Sequence, residues 1–372
     1  MALTLHGTVA NNTAVLDRPN AKPLIINGDM QVAQRGTSFT GQTGSAYTLD
    51  RMYMRLSDAG TYTITQDSDV PEGYGFSKSM KIDCTTANDS LEAADFMFVN
   101  MRFEKQDMRI FNKGTSSAKK VTVAAWVKSP KTGTHVVGFN DANSSTNRYC
   151  MQTYTISSAN TWTKVIVTFP ADTGGDEMGT DNTHGMNLQF WFAAGSNFTS
   201  GSAATAWENY TAANQAVGQV DCSDSTDNNI LITGMQMEVG EFDANSIAPF
   251  QHESFADNLS RCQRYLYDPL RGTTDAYGVF CHATCVSTTV ARGVFQLPCE
   301  MRTLGTVVTS GAIEVAGDSF HPACTSIATS GRSGTMTTEM SFTVGSGLSS
   351  GEGAIVRREN NASTTFRLDA EL

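Results

Sequence analysis

The stretch "LIINGDMQVAQRGTSF", Leu24 to Phe39, decides the fold class. An apolar run, Leu24-Ile25-Ile26, breaks at Asn27-Gly28-Asp29 and resumes as an alternation through Met30 and Val32 up to Gly36. An Asn-Gly pair flanked by alternating apolar residues is a strong local signal for a bend between extended segments. The reading is a strand. It is neither a helix nor a phosphate-binding loop, because no G-x-x-x-x-G-K-[ST] and no G-x-G-x-x-G occurs here.

The same pattern continues outward. From residue 24 to about 250 short strand segments recur: "YTLDRMYMRL", "TYTITQ", "SMKIDC", "ADFMFVNMRF", "KKVTVAAWVKS", "THVVGFN", "RYCMQTYTI", "TKVIVTF", "MNLQFWFAAG" and "NILITGMQMEVG". They alternate or are rich in β-branched residues, and clusters of Gly, Asn, Asp, Ser or Pro separate them, which predicts a two-sheet antiparallel sandwich. One helical pattern interrupts the series. In "SFADNLSRCQRYLY", Phe255, Leu259, Cys262 and Leu266 fall at helical spacing behind a Ser254 suited to cap the first turn. After Pro269 strands return in "AYGVFCHATCVSTTVARGVFQLPCEM", "TLGTVVTSGAIEVAG", "TMTTEMSFTVG", "EGAIVRREN" and "TTFRLDAEL". The expected fold is all-β: residues 1–22 a polar arm stiffened by Pro19 and Pro23, residues 23–252 a sandwich, residues 253–268 a connecting helix, and residues 269–372 a smaller C-terminal β-domain.

Composition narrows the function. At 372 residues the chain exceeds one comfortable core, so two domains are expected. A formal charge of −11 with no clustered Lys/Arg stripe argues against a nucleic-acid partner. No apolar stretch reaches the length needed to span a bilayer, and the N-terminus lacks the basic and apolar regions of a secretion signal, so membrane insertion is not expected and synthesis in a cytoplasm is. The eight cysteines have no repeated spacing and read as buried thiols in a chain too long to need stapling.

Local motifs for catalysis are weak. Cys281, His282, Cys285, Cys299, His321 and Cys324 are zinc-competent residue types without paired C-x2-C spacing, so no metal and no cofactor is expected. Asp172-Thr173-Gly174 is one copy of a motif that an aspartic protease needs twice; the ordinary reading of its acidic, Gly-rich surroundings is a solvated loop. No G-x-S-x-G or H-E-x-x-H occurs, and a pair of glycosidase carboxylates would leave no local trace. The rings are more suggestive. Tyr53, Tyr62, Tyr74, Tyr149, Tyr154, Trp191, Trp207 and Tyr210 lie on or beside sandwich strands, where ring faces can stack on sugars; the alternative is that such rings, with Trp126 and Trp162, fill the core.

Four blocks in order, "LIINGDMQVAQRGTSFTGQTGSAYTLDRMYM", "WTKVIVTFPADTGG", "GSNFTSGSAATAWENY" and "ILITGMQMEVGEFDANSIAPFQHESFADNLSRCQRYL", resemble a family of bacteriophage tail-fibre and virion structural proteins. The resemblance covers residues 24–267 and extends through "LPCEMRTLGTV" and "RLDAEL". It implies a jelly roll like that of carbohydrate-binding modules, opened by the Asn-Gly-Asp segment and closed by the Gly-Met-Gln-Met-Glu strand as its neighbour. Some members hold a calcium ion by an acidic residue before the closing strand, where this chain has Ile232-Thr233-Gly234. The resemblance further implies a homotrimeric fibre in the virion, assembled in the host cytoplasm and attached through the arm to tail or capsid proteins. Such a fibre binds host surface polysaccharide without cleaving it; a glycan depolymerase on the same scaffold and a fibre attached to capsid or neck are the alternatives. Candidate glycan contacts are Tyr53, Tyr74, Trp207 and Tyr210 on the sandwich and Arg332, Arg357 and Arg358 beyond it, where "TSGRSGTM" and "GSGLSSGEG" read as loop tips facing the host.

Overall fold

One long strand serves two sheets. In the computed structural model, which describes residues 22–143 and 147–372, β2 (Tyr53–Asp67) changes partners half-way along. Residues 53–58 pair antiparallel with β4 (Phe96–Glu104), and residues 61–67 pair antiparallel with β3 (Ser79–Thr86). At the change, Ser57 and Asp58 both oppose Phe96, a bulge, with Asp58 at φ 49° and Gly60 at φ 98°. A Cβ at Gly60 would sit 2.5 Å from the Thr86 carbonyl oxygen, so only glycine fits the corner.

The sheets follow from that corner. The first runs β10 (Glu208–Asn209), β7 (Arg148–Ile156), β6 (Gly133–Asp141), β9 (His184–Ala194), β4 and the first half of β2. The second runs from the other half of β2 through β3, β11 (Asn229–Val239) and β5 (Val121–Lys128) to β8 (Thr163–Phe169), while β1 (Ser38–Tyr47) lies along β2. Alternate residues of both sheets, among them Val99, Leu188, Phe190 and Phe139 from the first and Ile82, Val123, Ile232 and Val167 from the second, form one buried core. This is a jelly-roll β-sandwich, and each strand segment read between residues 47 and 240 contributes to it, with "YTLDRMYMRL" divided by the turn between β1 and β2.

The opening segment departs from its sequence reading. Residues 24–37 form turns and irregular backbone with no strand. Met30, Val32 and Gln34 do alternate inward, which imitates a strand, but the segment is folded back on itself: Asn27 and Met30 adopt left-handed φ of 59° and 58°. The buried Asn27 side chain closes this turn, donating to the carbonyls of Val32 (2.9 Å) and Asp50 (3.0 Å) and accepting from the Val32 amide (2.9 Å). Gly28 has ordinary φ and is required for another reason, since its Cβ would meet the Met235 carbonyl oxygen at 2.2 Å. That contact, with the Met235 amide donating to the Gly28 carbonyl at 2.9 Å, joins the opening turn to closing strand β11. A bulge at Gly234 makes it possible: the buried phase of β11 shifts from Ile230 and Ile232 to Met235 and Met237.

The chain divides into two compact units at Ser254/Phe255, and residues 1–21, on which the arm was read, lie outside the described residues. In the second unit a helix, α1 (Phe255–Gln263), precedes two antiparallel sheets. One orders β12 (Leu266–Tyr267), β20 (Thr365–Asp369) and β15 (Thr306–Ser310). The other orders β16 (Ile313–Ala316), β19 (Gly353–Arg358), β13 (Val279–Cys285), β14 (Val290–Gln296), β18 (Thr337–Val344) and β17 (Cys324–Thr329). Phe280, Phe295, Phe342 and Phe366 meet in its core. The helix ends three residues before Leu266, and Leu266 and Cys262, read from sequence as part of its apolar stripe, are buried. All eight cysteines are free thiols; six are buried, while Cys299 and Cys324 are partly exposed.

Asn27→Ala removes three buried hydrogen bonds and should lower the unfolding free energy by about 2–4 kcal/mol in urea denaturation. Asn27→Gly, which tolerates the left-handed backbone, should lose most of the same amount; a loss seen only with Ala would assign the role to backbone strain instead.

Candidate functional site

The outer face of the first sheet is built from residues that alternate with the core. On β4 these are Phe96, Phe98, Asn100 and Arg102; on β9, Asn187, Gln189 and Trp191; on β6, Val136, Gly138 and Asn140. Strand register lines them up across the sheet. Tyr53 opposes Asn100, Asn100 opposes Gln189, and Gln189 opposes Gly138; in the next row Arg102, Asn187, Asn140 and Tyr149 follow one another.

Half of this face is apolar and roofed. Phe98, Trp191, Val136 and Met151 pack with Ala204, Ala216 and Phe198 from residues 195–219, which fold back over the sheet. A Cβ at Gly138 would meet the Met151 sulfur at 1.8 Å, so this glycine lets Met151 lie flat on the strand beside it. The other half is a row of amides. His184 Nε2 lies 2.8 Å from Asn187 Oδ1, Asn100 Nδ2 donates to the same oxygen at 3.2 Å, and Asn187 Nδ2 donates to Asn140 Oδ1 at 2.6 Å.

The row is incomplete as a hydrogen-bond network. Asn100, Asn140 and Gln189 are only 4%, 7% and 6% exposed, yet Asn100 Oδ1, Asn140 Nδ2 and Gln189 Oε1 have no partner. Trp191 Nε1 and Arg55 Nε, on the same face, also have none. A buried polar group without a partner costs roughly 1–3 kcal/mol, and folded proteins keep few of them. Five such atoms on one sheet face, one of them on Trp191 beneath the roof, are an unusual concentration of unmet polar groups.

Aromatic rings stand at both margins. On the β2 side Tyr53 lies 4.6 Å from Tyr47, with the Arg102 guanidinium 4.4 Å over its ring. Across the sheet Tyr149 lies 4.7 Å from the exposed Tyr210. Burial raises the Tyr149 phenol above its usual range, the nearby Tyr210 adds to this, and the Arg55 charge opposes it.

Of the residues singled out from sequence, Tyr53, Tyr149 and Tyr210 border this face, Trp191 lies on its roofed half, and the others lie elsewhere. Tyr74 is exposed but packs on Trp126, 4.4 Å away, on the outer side of the second sheet. Trp207 donates from Nε1 to the Pro170 carbonyl at 2.8 Å and packs against the core, so its ring is a plug and not a platform. Tyr62, Tyr154 and Trp191 are buried. In the second unit Arg332 is an exposed loop residue 3.5 Å from Glu339, and Arg357 pairs with Glu314 at 2.6 Å beneath an exposed Tyr277. Arg358 must be withdrawn as a glycan contact. It is 5% exposed, and its guanidinium is used by the carbonyls of Thr364, Thr273 and Asp275. Asp172 is neither a protease residue nor part of a solvated loop: it is buried between Lys113 and Arg148, at 3.3 and 2.8 Å.

The amides and Arg55 were missed by sequence reading, although a signal exists. In "FVNMRF" and "MNLQFW" polar residues take every second position of strands whose other positions are large and apolar, which marks a face that is polar and still not simply solvated. Among the described residues no three His, Cys, Asp or Glu side chains come together as metal ligands would.

No protein-family model and no curated protein matches the chain. Several solved structures resemble its fold. A putative sugar-binding protein from Bacteroides thetaiotaomicron is 12% identical over 59% of this chain and all of that one, with a TM-score of 0.32. A family 11 carbohydrate-binding module from Clostridium thermocellum is 11% identical over 59% of this chain and 95% of that one, with a TM-score of 0.26. The enzymatically active domain of tailspike protein 4 from bacteriophage CBA120 is 13% identical over 58% of this chain, with a TM-score of 0.30; the match spans 21% of that structure.

If the amide row is kept for a ligand and not for folding, Gln189→Met should leave stability unchanged or raise it by up to about 1 kcal/mol, because it removes an unmet acceptor. Urea denaturation checks this, and a loss above about 2 kcal/mol would make Gln189 a structural residue.

Proposed function

We propose that the chain binds glycans, without cleaving them, on the outer face of the first sheet. The observation that carries this reading is the row of buried amides with unmet atoms. A sugar hydroxyl both donates and accepts, so once a side-chain shift uncovers these buried atoms, Asn100 Oδ1 and Gln189 Oε1 are suited to accept a hydrogen bond from it and Asn140 Nδ2 to donate one. At one margin the exposed Tyr210 offers flat apolar surface for the C–H face of a pyranose. Amides do not titrate near neutral pH, so Asn100, Asn140, Asn187 and Gln189 supply no general acid or base, and binding without cleavage is the chemistry they support.

With the resemblance to phage fibre proteins, this binding is read as attachment of a virion to bacterial surface polysaccharide. The chain then acts as a homotrimer, whose three faces raise avidity without new contacts, with residues 1–22 attached to tail or capsid proteins.

Affinity electrophoresis through gels containing bacterial surface polysaccharides tests the site. At least one polysaccharide should retard the full chain, Gln189→Met and Asn187→Ala should weaken this tenfold or more, and no new reducing ends should appear. Retardation unchanged by both substitutions would move the site elsewhere, and release of reducing ends would favour a depolymerase. Light scattering should give three times the chain mass, and gold-labelled antibody should decorate particles; a monomer absent from particles would remove the fibre role while leaving glycan binding in place.

A further inference from the structure

We propose that the glycan taken by this face is acidic, and that Arg55 selects it by receiving a sugar carboxylate; the proposal rests on the glycan-binding reading above and names its ligand class.

Arg55 lies on the first half of β2, two residues from Tyr53 and opposite Phe98 of β4. Its guanidinium carbon is 5.9 Å from the centre of the Tyr53 ring, 5.8 Å from that of Phe96 and 6.0 Å from that of Phe98. Three rings lie around it, its Nε is buried without an acceptor, and among the described residues no carboxylate pairs with it. Other partly buried arginines of the chain are engaged differently: Arg148 meets Asp172, Arg357 meets Glu314, and Arg367 meets Asp268.

An arginine tolerates such a cage because its delocalised charge is weakly hydrated and is attracted to ring faces. The rings fix the guanidinium in place but accept no hydrogen bond in its plane. Its Nε is shut off from solvent, so the edge formed by the two terminal nitrogens is what is left for an external acceptor, and a carboxylate matches that planar fork bidentately. The placement suits one sugar residue. From the Phe98 row, where Arg55 lies, to the Asn100 row is one pleat of β4, about 7 Å. A carboxylate held at Arg55 thus places the same or the adjoining residue over the row of Asn100 and Gln189. The amides of the row are neutral, so they do not repel an acidic chain, whereas the protein as a whole carries a formal charge of −11. A nearby cation offsets at short range the repulsion that this net charge imposes.

The test uses the full chain and a panel of bacterial surface polysaccharides, each before and after carbodiimide–borohydride reduction of its uronic carboxyls to primary alcohols. The bound members should be uronic-acid polymers, and reduction should weaken their binding at least tenfold. Arg55→Gln should bring the unreduced form down to the level of the reduced one, while Arg55→Lys keeps part of the difference. Thermal unfolding within a few degrees of the wild type shows that the variants are folded; should Arg55→Gln unfold, Arg55→Lys with its reduced discrimination decides. Binding of neutral polysaccharides with Arg55→Gln unaffected overturns the proposal and leaves glycan binding intact. Binding that depends on Arg55 but survives carboxyl reduction assigns the charge to phosphate or sulfate and overturns it too. Failure to bind any member overturns both readings.

Discussion

The corner in β2 is the constraint on which the first unit depends. A strand that pairs with β4 along one half and β3 along the other must bend between them, and Asp58, Ala59 and Gly60 supply the bend by a bulge and two left-handed residues. The corner is fixed locally: the Asn88 side chain donates to the Asp58 carbonyl at 2.8 Å, and the Tyr62 hydroxyl donates to the Ala59 carbonyl at 2.9 Å. Because the bend falls after Ser57, Tyr53 and Arg55 remain on the first sheet, beside Asn100 and Phe98. The same few residues therefore join the two layers and deliver the margin of the candidate site.

The candidate face shows how a sheet can be buried on both sides and still keep polar groups. Inward, the first sheet contributes to a continuous apolar core, which carries the fold. Outward, it is apolar where residues 195–219 cover it and amide-lined beyond them, where Asn100, Asn140, Asn187 and Gln189 are still buried. The apolar core lets the amide half retain unsatisfied atoms, since the stability those atoms forgo is small beside what the core supplies. Destabilised polar clusters are commonly found where a protein must bind something.

Much of the sandwich was legible because period-two alternation is a local property, and it survives in "KKVTVAAWVKS" or "TKVIVTF" whatever the strands pair with. The failures have particular causes. Met30, Val32 and Gln34 alternate inward like a strand, but the alternation there comes from a turn held by the Asn27 side chain, whose partners include Asp50, 23 residues away. "MYMRL" and "TYTITQ" read as two strands because the bulge between them looks like a turn. β17 was overlooked because "CTSIAT" is small and largely exposed, without an apolar phase. The amide row left no motif at all: Asn100, Asn140 and Asn187 lie on strands 40 and more residues apart and converge only through register.

The three arginines compared most closely show why exposure is a poor guide to binding residues. Arg358 was attractive as one of an adjacent pair, yet successive residues of a strand point to opposite sides, and the inward one is consumed by three backbone carbonyls. Arg357, on the other side, is half-buried and already neutralised by Glu314. Arg55 is half-buried as well, but its neighbours are ring faces, which hold a cation without satisfying its N–H groups. What separates the three is how many donors remain unmet once the fold has formed. The same accounting separates Asn27, whose side-chain oxygen and nitrogen are both used inside its turn, from Asn100 and Gln189, whose oxygens are not. Polar residues whose hydrogen bonds close within the chain hold the fold; those left open at a sheet face cost it stability instead.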